Sequence, residues 1–177
     1  MNTLSKEKVN ELIKIIPNNI IEGFNKYNNA IITHNEENKN NKEIENCFIN
    51  FISDIYNRGQ TIVVDYYGNK LNDKEFENMT ETLEIKEKEL LYKLRKKNIN
   101  SVYFIVENLE YLKLIMKLSV KSILFSTFYI LGNDLTIWSN YDYKFVIFFN
   151  NYDVLEFYKD VLEKSNLIIK DIKITNK

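Results

Sequence analysis

The chain contains very little glycine, proline, cysteine, histidine and arginine. Its 177 residues include four Gly, one Pro, one Cys and one His, and its two arginines are Arg58 and Arg95. So few glycines argue against a glycine-rich loop for phosphates, and one cysteine excludes an intrachain disulfide and a cysteine-rich zinc site. The single histidine, His34, removes most histidine-based hydrolase triads and multi-histidine metal centres. The sequence therefore predicts neither a metal nor a cofactor.

The chain also lacks an excess of charge of either sign. Its 24 basic and 25 acidic residues give a net charge of −1. Without a basic surface, and with so few arginines to clamp phosphates or bases, we expect no nucleic-acid binding. No apolar run approaches the ~20 residues of a membrane helix, and the N-terminal segment has no apolar core of signal-peptide length. These features predict a cytoplasmic protein without a membrane segment, and they leave its oligomeric state open.

The chain is rich in apolar and aromatic residues, which are 45% and 14% of the sequence. Residues 123–149 read ILFSTFYILGNDLTIWSNYDYKFVIFF. Three apolar runs are separated by short polar breaks at 132–134 and 139–142, which predicts an antiparallel meander of three strands.

The rest of the chain alternates between helical and extended patterns. Apolar spacing predicts helices over 5–16, 18–27, 42–57, 73–97, 108–118 and 152–164, a loop over 35–42, and strands over 31–32, 61–67, 101–106 and 167–174. The longest helix is expected to kink or split near Lys86 and Glu87. We predict one α+β domain over 1–177, with 1–42 as a candidate peripheral helical segment and polar loop. Its sheet is expected to be mixed and largely antiparallel, with about five to six strands, amphipathic helices packed on it and a helix-rich N-terminal half.

One pattern has enzymatic content. Asp65 ends a predicted strand and is followed by the triplet Glu84-Ile85-Lys86, the skeleton of the restriction-endonuclease-like nucleases. Two carboxylates would hold Mg²⁺ and the lysine would help to activate water. The segment around the triplet favours a helix, on which Glu84 and Lys86 face different directions. A divergent Mg²⁺-dependent nuclease that uses Asp65, Glu84 and Lys86 is nevertheless one alternative function.

Cys47 lies on the apolar stripe of the 42–57 helix, and we expect its side chain to be part of the hydrophobic core.

The segment from Trp138 to Lys144 is the best candidate for a binding surface. Trp138, Tyr141 and Tyr143 flank Asp142 at a strand junction, and aromatic residues beside a charge are typical of binding hot spots. Packing of these aromatic side chains into the core is the alternative. Asp134, in the preceding turn, could join Asp142 in an acidic rim for a basic partner. The candidate protein-contact residues are Trp138, Tyr141, Asp142, Tyr143 and Asp134, and no catalytic residue is predicted.

Residues 101–162 resemble an uncharacterised domain family of low-GC Gram-positive bacteria. In that family a strand ending in an aromatic–Asp segment precedes a second strand and a Tyr-containing helix. Trp138, Asp142 and Tyr158 occupy comparable places, and the upstream strand TIVVDYY matches as well. Ser-Asn-Tyr-Asp stands where the family's Asp-Asp-Arg-Gly-like turn is expected.

Such small proteins resemble immunity proteins encoded beside toxins. The resemblance implies a non-catalytic inhibitory protein that binds a protein partner, either a toxin or a host enzyme. A mobile-element-encoded inhibitor of a host enzyme is a further alternative, because it would also act by stoichiometric binding.

Overall fold

A computed structural model describes residues 1–35, 40–97 and 100–175. In chain order the strands are β1 (Asn2–Thr3), β2 (Asn28–His34), β3 (Ile62–Asp65), β4 (Tyr103–Ile105), β5 (Thr127–Ile130), β6 (Leu135–Trp138), β7 (Phe145–Phe149) and β8 (Leu167–Lys173). Within these ranges they form one eight-stranded antiparallel sheet with the order β1-β4-β3-β5-β6-β7-β2-β8. The predicted meander is β5-β6-β7, and its strands are neighbours in the sheet.

The helices are α1 (Lys6–Leu12), α2 (Ile20–Lys26), α3 (Asn41–Asn57), α4 (Asp73–Thr80), α5 (Ile85–Lys97), α6 (Leu109–Val120) and α7 (Asp153–Lys164), with a short 3-10 helix at Tyr67–Lys70. Four of them begin at an asparagine whose side chain accepts a backbone hydrogen bond: Asn19, Asn40, Asn72 and Asn108. Part of the high asparagine content is thus used to cap helices. None of the helices in the described ranges has the length and apolar character needed to cross a membrane.

The α+β class is confirmed, but the predicted number of strands is wrong. The described residues form eight strands instead of five to six, and the sheet is antiparallel rather than mixed. β1 has two residues and pairs with β4 alone, so it is too short for a local sequence pattern to predict it. β2 is longer than the predicted 31–32 because β7 and β8 pair with it on either side. The N-terminal half therefore contributes three strands as well as helices.

Two predicted helices differ from those observed. The pattern over 73–97 divides into α4 and α5 as predicted, but the break lies at 81–84 and not near Lys86 and Glu87, which are in the first turn of α5. The pattern over 5–16 stops at Leu12, and Ile13 and Ile15 continue in buried, non-helical backbone. This segment lies against the sheet, where the Thr136 hydroxyl donates a hydrogen bond to the Ile15 carbonyl at 2.7 Å. Of the predicted loop over 35–42, residues 36–39 lie outside the described residues.

The sheet has two differently covered faces. We call the face packed against α3, α4, α5, α6 and α7 the helical face, and its side chains, including Val64 and Phe128, belong to the main core. The opposite face, called the second face, carries Val63 and Tyr129 under α1, and Phe148 under the segment from Ile15 to α2. Because side chains alternate along a strand, Asp65 follows Val63 on the second face. The candidate site therefore lies on the second face, at the end of β3.

Gly23 allows α2 to lie close to the second face. A Cβ added at Gly23 would overlap the ring of Phe148, which is fully buried on β7. We expect Gly23→Ala to destabilise the protein by about 1 to 3 kcal/mol, because overpacking outweighs the helix propensity of alanine. Urea unfolding of Gly23→Ala in the wild-type and Phe148→Leu backgrounds tests this. The penalty should shrink in the second background, and stabilisation by Gly23→Ala in the wild type would contradict the prediction.

Candidate functional site

A cleft of about 190 Å³ opens where β3, β5 and β6 meet at one end of the sheet. The register of the sheet creates it, since Val64 pairs with Phe128 and therefore Asp65 lies beside Thr127, which pairs with Trp138. The residues that line it are Asp65, Tyr67, Phe125, Ser126, Thr127, Trp138 and Ser139. We refer to this as the Asp65 cleft.

Asp65 is the central polar group of the cleft. Its side chain is almost completely buried, with the residue 8% exposed, and its Oδ1 accepts a hydrogen bond from the Thr127 backbone N–H at 2.5 Å. Burial raises the pKa of the Asp65 carboxyl to about 6, against the opposing effect of hydrogen bonds from Thr127. Among the described residues, no lysine or arginine forms an ion pair with Asp65. The carboxylate is therefore buried without a compensating cation.

Two serines shape the wall of the cleft next to Asp65. Ser139 Oγ donates a hydrogen bond to the Ser126 carbonyl at 2.7 Å and accepts one from the Ser126 backbone N–H at 3.0 Å. The Ser139 side chain thus continues the pairing of β5 and β6 beyond the ends of both strands. The hydroxyl of Ser126 is buried and has no hydrogen-bond partner in the described part of the chain.

Aromatic side chains surround the mouth of the cleft. Tyr141 is 63% exposed, and its ring meets the edge of Phe125 with a centroid separation of 4.6 Å. Tyr67 is 46% exposed, and Trp138 is half-buried. We call Tyr67, Phe125, Trp138 and Tyr141 the aromatic rim.

The turn that follows Trp138 holds Tyr141 in place. Asp142 and Tyr143 have φ angles of +58° and +55°, and the Lys144 N–H donates to the Tyr141 carbonyl at 3.2 Å. Two consecutive non-glycine residues in the left-handed region cost on the order of 1 to 3 kcal/mol each.

The structure brings together only some of the predicted contact residues. Trp138, Tyr141 and Asp142 lie at the end of the sheet that carries the cleft. Tyr143 packs against the main core, with its ring 6.2 Å from that of His34. Asp134 lies in the turn at the opposite end of β6, where its Oδ2 forms an ion pair with Lys14 at 2.8 Å. Asp134 and Asp142 are therefore not neighbours in a common rim.

The residues of the nuclease pattern are also separated. Asp65 lies on the second face, whereas Glu84 and Lys86 lie at the start of α5, whose Leu91 and Leu94 pack on the helical face. The described residues contain no group of three His, Cys, Asp or Glu side chains that could hold a metal ion. The chemistry available in the cleft is that of one carboxyl group and aromatic rings, which suits the binding of a cation.

Sequence reasoning did not identify most of the residues that line the cleft. Tyr67, Phe125, Ser126, Thr127 and Ser139 belong to no motif, and they meet Asp65 only through the pairing of strands. One local signal was present, because a carboxylate ends the otherwise apolar strand Ile62–Asp65 and is followed by two tyrosines.

No protein-family model, curated protein or solved structure matches this chain. The resemblance to the Gram-positive family therefore stays a prediction. The geometry of the Asp65 cleft and the aromatic rim is the basis on which a function can be assigned.

Proposed function

We propose that this chain is a non-catalytic, immunity-like protein that binds a protein partner through the aromatic rim and blocks it, acting in the cytoplasm. The observation that carries this proposal is the exposed Tyr141, whose ring packs against Phe125 in the lining of the Asp65 cleft. Partners of this kind are a toxin or a host enzyme.

The rim has the composition of an interface centre. Tyrosine and tryptophan are enriched among residues that contribute most to binding, because they bury a large area with few rotatable bonds. Tyr141 leaves most of its surface in water, so that a partner could bury it. The edge-to-face contact with Phe125 restricts the Tyr141 ring before binding, which lowers the conformational entropy lost on association.

The cleft chemistry favours binding over catalysis. Among the residues that line it, Asp65 and Tyr67 are the two that titrate, and burial followed by the Asp65 charge raises the pKa of Tyr67. Both groups are thus shifted toward the neutral form. Tyr67 therefore stays protonated near pH 7, which leaves Asp65 without a second titrating group in the lining with which to exchange protons.

Tyr158, which the family resemblance names together with Trp138 and Asp142, has a structural role. Tyr158 is buried on α7, and its Oη accepts a hydrogen bond from the Asn133 side-chain amide at 3.1 Å. Asn133 is in the turn between β5 and β6, at the far end from the cleft. Binding is therefore assigned to the rim and not to Tyr158.

The test is affinity capture of the tagged protein from a lysate of its own host, followed by quantitative mass spectrometry and measurement of the dissociation constant for the purified partner. We expect wild type to retain one stoichiometric partner, and Tyr141→Ala to weaken its binding by at least about tenfold. A purified partner should also lose its activity when mixed with an equimolar amount of this protein.

Tyr152→Ala is the matched control. Tyr152 is 45% exposed and lies just before α7, beyond the end of β7 that is remote from the cleft. The same substitution there should leave the partner bound. The proposal fails if Tyr141→Ala binds the partner as tightly as Tyr152→Ala does, or if wild type retains no stoichiometric partner.

A further inference from the structure

We infer that the Asp65 cleft receives one basic side chain, a lysine or an arginine, from the protein partner. This inference rests on the proposed function, because it assigns the chemistry that the partner must present beside the aromatic rim. It also makes a statement about the cleft alone that can be tested without the partner.

The Asp65 carboxylate carries a charge that no cation among the described residues compensates. Asp65 lines the cleft and is buried, and its carboxylate accepts hydrogen bonds from Thr127. The titratable groups that face it are Tyr67, Tyr103 and Tyr129, whose pKa values are raised first by burial and further by Asp65. All three phenols are therefore neutral near pH 7 and none can balance the carboxylate. An incoming ammonium or guanidinium group would do so, since an opposite charge within hydrogen-bond reach favours the ionised form.

The size and lining of the cleft suit one basic side chain. Its volume of about 190 Å³ is below the roughly 300–1,000 Å³ of sites for drug-sized ligands, which fits one side chain. Phe125, Trp138 and Tyr67 provide aromatic surface for the alkyl part of a lysine or arginine, and for cation–π contact with its charged end.

The cleft discriminates between ligands by the sign of their charge. A carboxylate or phosphate would be placed beside Asp65 without a described cation to stabilise it, and burial of like charges is unfavourable. A neutral apolar group would leave the Asp65 carboxylate buried and still unpaired. A cation is the group that can both pair with the Asp65 carboxylate and make cation–π contacts with the aromatic side chains of the cleft.

The test is a titration of the ¹⁵N-labelled full-length protein with n-butylammonium and with methylguanidinium, followed by two-dimensional NMR at about pH 7.5. We expect saturable shifts of the Thr127 amide and the Trp138 indole N–H, and no saturable shift with n-butanol. Asp65→Asn should weaken cation binding by at least about tenfold, as expected for loss of a buried charge pair. Asp142→Asn removes an exposed carboxylate on the neighbouring turn and should leave cation binding unchanged.

The partner gives the second arm of the test. Asp65→Asn should weaken partner binding by at least about tenfold, and lysine or arginine replacements on the partner should reproduce that loss. The inference is overturned if the cations cause no saturable shifts at Thr127 and Trp138, or if these shifts persist in Asp65→Asn.

Failure of the inference and failure of the proposed function give different results. If Tyr141→Ala loses the partner while Asp65→Asn binds it as wild type does, the basic side chain is refuted and the proposed function stands. If Tyr141→Ala retains the partner, the proposed function fails, and with it the assignment of the cation to that partner.

Discussion

Replacing Asp65 with Asn is expected to raise the free energy of unfolding at about pH 7.5 by about 3 kcal/mol. Burial raises the pKa of the Asp65 carboxyl from 3.8 to about 6 in the folded protein, so that ionisation is less favourable there than in the unfolded chain. Asparagine has nearly the same shape, keeps an oxygen that can accept the Thr127 N–H, and carries no charge. The substitution therefore removes a destabilising charge and keeps the hydrogen bond.

The pH dependence gives the sign of this effect. Below about pH 3.8 the carboxyl is protonated in both states, and Asp65→Asn should change stability little. Between about pH 4 and 6 the unfolded chain releases a proton that the folded protein keeps, so wild type loses stability relative to Asp65→Asn. Above about pH 6 the difference should be constant at its full value.

Urea unfolding of both proteins at a series of pH values from about 4 to 8 measures this difference. Asp142→Asn serves as the control, because Asp142 is exposed and its replacement should change stability by less than about 0.5 kcal/mol. A difference that does not grow with pH, or destabilisation by Asp65→Asn at pH 7.5, would contradict the burial of an uncompensated charge.

The expected gain in stability of Asp65→Asn indicates that Asp65 is kept for function and not for folding. Natural proteins retain destabilising groups where activity needs them, and replacement of such groups often stabilises the fold at the expense of function. Asp65→Asn is expected to combine higher stability with weaker cation binding. These opposite effects separate a binding group from a group whose only role is structural.

The local patterns predicted much of the fold. The meander over 123–149 follows from apolar runs divided by polar breaks, and α3 follows from an uninterrupted apolar stripe that includes Cys47, which is buried in the main core. β1 could not be predicted, because its two residues become a strand only by pairing with β4. The C-terminal end of α1 was predicted too late, because contact with the sheet, and not helical spacing, places Ile13 and Ile15.

The candidate site was less predictable, for two physical reasons. Asp65 and Thr127 are 62 residues apart, and only the register of β3 and β5 makes them neighbours. Asp134 was predicted to share a rim with Asp142 because their turns are close in sequence. Successive turns of an antiparallel meander lie at opposite ends of the sheet, so this proximity along the chain does not become proximity in space.

The largest loss of stability is expected from Phe128→Ala. Phe128 is fully buried on the helical face of β5, between Val64 of β3 and Ile137 of β6. Removing its ring should leave a cavity in the main core and lower the free energy of unfolding by about 3 to 5 kcal/mol. Urea unfolding measures the loss.

Phe125→Ala is the matched comparison, because it makes the same substitution three residues earlier in the chain. Phe125 is half-buried in the aromatic rim, with its ring against Tyr141, so its removal should cost about 1 kcal/mol or less. It should nevertheless weaken partner binding by at least about tenfold, because it removes the support of Tyr141. If Phe125→Ala instead destabilised the protein as much as Phe128→Ala does, Phe125 would be part of the core, and the rim could not be a surface reserved for binding.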